Sequence, residues 1–131
     1  MELTIINPAE LGAPKGYSNG VLIKGDSVLF VAGQIGWNAE QKLVSENFVE
    51  QFEQALRNIM TIVESAGGKA ENIGRLTIYV TDKQQYISQI KDVGAAYRRV
   101  MGKHFPAMAL LEIKSLLESG AKVEIEATAV I

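Results

Sequence analysis

Few side chains in this chain of 131 residues can take part in covalent or acid–base chemistry. Cysteine is absent and histidine occurs once, as His104. Thiolate catalysis, disulfides and sulfur-ligated zinc are therefore excluded, and one imidazole is too few for an all-protein transition-metal site. Carboxylates and phenols remain. Glu124 lies in the last run of the chain, between Lys122 and Glu126. It either belongs to an ordinary solvated strand face or lines a cleft, where burial raises a carboxyl pKa and makes a general acid or base. Tyr17, after a loop rich in glycine and proline, is either a pocket wall or an aromatic that packs on a sheet. Met108 is either a thioether filling a gap in a packed sheet or the floor of an apolar pocket. His104, just before Phe105-Pro106, stands near where such a cleft would open, although a lone surface histidine is usually a bystander.

These residues must be positioned by regular elements, and the sequence proposes them. Val123, Ile125, Ala127, Ala129 and Ile131 alternate with Lys122, Glu124, Glu126 and Thr128, the period of a strand with one apolar face. Pro106 cannot donate a ladder hydrogen bond, so a strand is expected to begin at it and run to Ile113, with a turn at Glu118-Ser119-Gly120. Met108 and Glu124 are then expected on neighbouring strands. Upstream, Leu3–Ile6 is a short strand closed by Asn7-Pro8. Val21–Lys24 and Ser27–Ala32 read as two strands joined by a tight turn at Gly25-Asp26. From Asn47 to Ala66, Phe48, Phe52, Ala55, Ile59, Ile62 and Val63 recur at threes and fours, which predicts a helix stopped by Gly67-Gly68. Arg75–Thr81 is a strand. Tyr86, Ile90, Val93, Tyr97 and Met101 mark a second helix ending near Gly102. The expected order is β-β-β-α-β-α-β-β, one α+β domain over residues 1–131, with a mixed sheet and two helices on one face.

Phe105-Pro106-Ala107-Met108-Ala109 followed by Val123–Ala129 resembles the C-terminal signature of the Rid/YjgF family, reactive-intermediate deaminases formerly called L-PSP endoribonucleases. Tyr17-Ser18-Asn19-Gly20, Ala32-Gly33-Gln34-Ile35, Gln54–Ile59 and Ala66-Gly67-Gly68 extend the likeness along the whole chain. The resemblance implies a chorismate-mutase-like fold and a homotrimer with a small-molecule cleft at each subunit interface. It implies imine or enamine hydrolysis without a cofactor, with Glu124 handling water and protons and Tyr17, Ala32, Gly33, Gln34, Ile35, Gly94, Ala107 and Met108 lining the cleft. Trp37 would cap that cleft or contact the next subunit. Three positions depart from the pattern of the active members. Met108 stands where they carry the arginine that binds the substrate carboxylate, Ala32 replaces a serine or threonine, and Gly94 replaces an asparagine. A methionine cannot neutralise a carboxylate, so the implied substrates are small imines, enamines or related carbonyl compounds other than the usual carboxylate-bearing imino acids. A non-catalytic, small-molecule-binding or regulatory trimer is the rival.

Composition narrows the remaining classes. The net charge is −2 and the basic residues are scattered among acids, so the basic stripe of a nucleic-acid partner is missing. That disfavours a ribonuclease. No apolar run is long enough for a membrane span and no cleavable leader is evident, so a cytoplasmic location is expected. Phosphate loops, dinucleotide fingerprints and metalloprotease motifs are also absent.

Overall fold

The computed structural model describes residues 2–131. Strands β1 (Glu2–Ile6) and β2 (Gly20–Lys24) form a two-stranded antiparallel ribbon. The main sheet has four strands: β3 (Val28–Ile35), β4 (Ile73–Val80), β5 (Ala107–Glu112) and β6 (Val123–Val130). Their spatial order is β3-β6-β4-β5, antiparallel except for the parallel β4–β5 pair. Helices α1 (Phe48–Ser65), α2 (Lys83–Ser88) and α3 (Ile90–Met101) complete the α+β fold.

The alternation in β6 is realised residue by residue, with Val123, Ile125, Ala127 and Ala129 buried and the residues between them partly exposed. The buried set meets Phe52, Ala55, Leu56, Ile59 and Val63 of α1 and Val93, Ala96 and Met101 of α3 in one core. Each large aliphatic side chain so buried contributes on the order of 1.5–3 kcal/mol. Asn47 caps α1, its side chain accepting from the Glu50 N–H at 3.1 Å, and Gly67 leaves the helix at φ 85°. Across the helix pair, Glu53 of α1 takes Arg99 of α3 at 2.6 Å and Arg57 at 2.7 Å. Those hydrogen bonds, Arg99's foremost, hold its carboxyl below the usual range.

Three expectations are corrected. β2 and β3 do not form a hairpin: the N–H groups of Asp26 and Ser27 bond to the carbonyl of Ile131, which turns the chain onto β6 instead of back along β2. A Cβ at Gly25 would stand 2.7 Å from Val130, so only glycine allows that crossing. The second predicted helix is two, capped by Asp82 and broken at Gln89, whose φ of −113° is not helical. Finally, β5 and β6 are not neighbours, because β4 lies between them. The start of β5 just after Pro106, and the turn at Glu118–Gly120, are as expected.

Behind β5, Tyr97 is buried, its hydroxyl donating to the carbonyl of His104 at 2.6 Å and its ring stacked on Phe105 at 5.2 Å. Burial holds this phenol far above its ordinary value. The raised pKa stabilises the fold fully below about pH 10, the unfolded value, and that contribution falls away as pH climbs from there toward the folded value. Tyr97→Phe is expected to cost about 1 kcal/mol at pH 7 through the lost hydrogen bond. It should also flatten the decline of stability above pH 10, as read by urea denaturation at a series of pH values.

Candidate functional site

Two groups of the sequence-nominated residues are assembled by different parts of the sheet. The first is built where the N-terminal segment docks on β5. The Ser18 N–H donates to the carbonyl of Pro106 at 3.1 Å, and its hydroxyl donates to the carbonyl of Phe105, so Ser18 lies parallel to Ala107 as a short added strand. Tyr17, Ala107 and Met108 are thereby brought to one cavity of about 320 Å³, which Asn19, Arg75 and Thr77 also border. That volume suits a small metabolite. Tyr17 is 40% exposed and separates this cavity from a shallower one of about 630 Å³ at His104 and Lys103.

The second group surrounds Glu124. Val31 faces Ala127 and Gln34 faces Ile125, so Ala32 and Gly33 together oppose one residue, Glu126. This bulge bends β3 and leaves Gly33 directly beneath Glu124, where a Cβ would stand 2.4 Å from the carboxylate Oε2. Bulges of this kind often re-aim a side chain beside a site. The bulge is braced by Gln34, whose amide donates to the carbonyl of Ala32 at 3.1 Å. Asn58 of α1 donates to the carbonyls of Ile35 and Trp37 at 3.1 and 3.0 Å, which ties the end of β3 to the helix. Beside Glu124, Glu126 accepts the Tyr79 hydroxyl at 2.6 Å. That hydrogen bond first, then burial and the charges of Glu126 and Glu124, raise the tyrosine's pKa, so Tyr79 stays protonated as a donor beside the two carboxylates.

Within one chain the two groups are far apart. Met108 is in register with Leu76 and, through it, with Ala127, on the face that packs against the helices. Glu124 lies on the opposite face, two strands away and three residues along, which is about 14 Å by strand spacing and rise. Gly94 joins neither group: it lies on α3 beneath the Arg98 guanidinium, to which its Cβ would approach within 3.3 Å. Trp37 pairs with Leu43 in the loop after β3. His104 is buried, not a surface residue, and its Nε2–H donates to the carbonyl of Ile73 at 2.7 Å. It holds β4 against the Phe105 turn.

Sequence reasoning passed over Arg75, Tyr79 and Glu126. The signal was available, since the alternation Arg75-x-Thr77-x-Tyr79 places all three on the face that carries Glu124 and Glu126. No group of three metal-ligating side chains occurs among the described residues, and no helix there is long and apolar enough to cross a membrane.

A ribbon and a mixed four-stranded sheet with helices on one face, and a bulge that presents a glutamate on the other, define an α+β protein of the chorismate-mutase-like kind. Residues 8–131 match the Endoribonuclease L-PSP family. A RutC family protein of Aquifex aeolicus is 38% identical over 114 residues, 87% of each chain. Human 2-iminobutanoate/2-iminopropanoate deaminase is 32% identical over 120 residues, covering 91% of this chain and 82% of that one. Among solved structures, the Rid-family protein YyfB of Yersinia pestis, described as of unknown function, superposes with a TM-score of 0.89 at 27% identity over 100% of both chains. RidA of the Antarctic bacterium Psychrobacter gives 0.69 at 28% identity, over 95% and 94% of the two chains. The chain belongs to the Rid/YjgF family.

Proposed function

We propose that this protein hydrolyses small imines or enamines in clefts formed between the subunits of a homotrimer. One observation carries the reading: Met108 on β5 and Glu124 on β6 are separated by β4 and stand about 14 Å apart, so a small substrate that touches both needs two copies of the chain. The exposed sheet face supports association. Val28, Phe30 and Leu111 are 55%, 79% and 44% exposed there, apolar area that a subunit contact would cover. The imine-deaminase names of the relatives supply the reaction class.

The chemistry asks for a held substrate, a placed water and a proton path. Glu124 takes a proton from the water as the water oxygen bonds to the C=N carbon, and passes that proton to the nitrogen. Glu124 then moves the carbinolamine hydroxyl proton to the amine in the same way, ending ionised as it began. Collapse of the resulting carbinolamine breaks the C–N bond, releases ammonia and leaves the carbonyl. Atoms balance with water alone. Met108, a neutral thioether, offers no fork for a carboxylate at its own position, so substrates that lack a carboxylate there are favoured. The reading places the reaction in the cytoplasm.

The test has two parts. Light scattering after size exclusion is expected to give three times the 14.3 kDa chain mass, and a monomer would dissolve the shared cleft. Ammonia release from freshly generated imines, one set neutral and one with an α-carboxylate, is expected to exceed the buffer rate mainly for the neutral set. No acceleration with any imine would leave the rival, a binding trimer, in which Met108 and Ala32 have traded polar contacts for shape. Salt-dependent RNA binding would instead favour the ribonuclease of the family's older name.

A further inference from the structure

We infer that Arg75, assisted by the side-chain amide of Asn19, forms an anion subsite that receives a carboxylate set away from the Met108 position. For its substrate this rests on the hydrolase reading. As a binding site it rests on the cavity alone.

Arg75 lies opposite Ala107, one strand from Met108, and borders both the 320 Å³ cavity and an adjoining one of about 260 Å³ that reaches Glu126. Among the described residues its guanidinium makes no ion pair and no side-chain hydrogen bond. The nearest acid on that face, Glu126, is engaged by the Tyr79 hydroxyl. The first cavity has no carboxylate on its border. Asn19 also borders it, and its Nδ2 is buried without a hydrogen bond, so a turn of this side chain toward the cavity would bring a second donor to a bound anion. A buried amide left unpaired is destabilising, and a carboxylate oxygen would satisfy it. An arginine fork and one amide donor, with no competing acid, recognise a planar anion. Since Arg75 stands apart from residue 108, the acid it holds is placed differently from the α-carboxylate. The substrate class is thus an imine of a keto acid whose carboxylate is removed from the reacting carbon.

The probe is 4-oxopentanoate, the ketone product of such an imine, compared with 2-oxobutanoate and the neutral 2-butanone by NMR titration. The wild type is expected to bind 4-oxopentanoate most tightly, and more weakly as salt rises. Arg75→Gln is expected to weaken that binding by about 10- to 100-fold. Arg75→Lys should fall between, Asn19→Ala should lose a smaller factor, and Lys114→Gln in the loop after β5 should match the wild type. Retained binding in Arg75→Gln, no binding by the wild type, or a loss that follows Arg98→Gln instead would each overturn the assignment. Binding that depends on Arg75 without any imine turnover would sink the hydrolase and keep the subsite. Turnover of neutral imines without Arg75-dependent binding would do the reverse.

Discussion

Glu124→Gln is expected to lower kcat for imine hydrolysis by about 10²- to 10⁴-fold, the span a positioned proton-transfer group supplies. The substitution keeps the shape and removes the base. Because Glu124 lies on the open face of β6, partly exposed and outside the core, the melting temperature should move by only about 2 °C. The companion change is Gly33→Ala. Its methyl would claim the space where the Glu124 carboxylate lies, 2.4 Å away, but the carboxylate is the free end of a flexible side chain and can swing aside. Stability should therefore be nearly untouched while kcat falls, since a displacement of about 1 Å can cost about 10²-fold. Parallel loss of activity in both variants, with normal urea midpoints, would identify the bulge as the element that aims the base. Full activity in Glu124→Gln would remove Glu124 from the mechanism.

Gly36→Ala should be the most destabilising of the small substitutions, by about 3–4 kcal/mol. A Cβ at Gly36 would stand 2.6 Å from both the Cα and the carbonyl oxygen of Gln51, backbone of α1 that cannot swing away. Gln51 is itself fully buried, donating to the carbonyls of Ser45 at 2.9 Å and Gly120 at 3.1 Å and accepting the Lys122 N–H at 2.9 Å. Pushing α1 back would strain this three-way joint and open the core beneath it. Equilibrium urea unfolding gives the value directly. A loss below about 1 kcal/mol would mean that β3 and α1 have slack at this crossing.

Local structure was legible in the sequence wherever one residue pattern decides between burial and water. The strict alternation of residues 123–131 determined β6 and its buried face, and the threes and fours of Phe48–Val63 determined α1. Pro106 determined where β5 begins, and the glycine pair at 67–68 where α1 ends. The Phe105–Ala109 and Val123–Ala129 stretches were enough for the family. Which strands touch was not legible, because a period of two tells which face of a strand is buried but not which strand lies beside it. The contact of Asp26 and Ser27 with Ile131 spans nearly the whole chain and unmakes the hairpin that Gly25-Asp26 suggested locally. Gln51 breaks the apolar stripe of α1 because two of its three partners, Gly120 and Lys122, come from a loop distant in sequence, which no helical period can report. The same limit governs the site. Sequence nominated Glu124, Tyr17 and Met108 as one cleft, and only the tertiary structure, by inserting β4 between β5 and β6, divided them into two separate groups and set Arg75 beside the cavity.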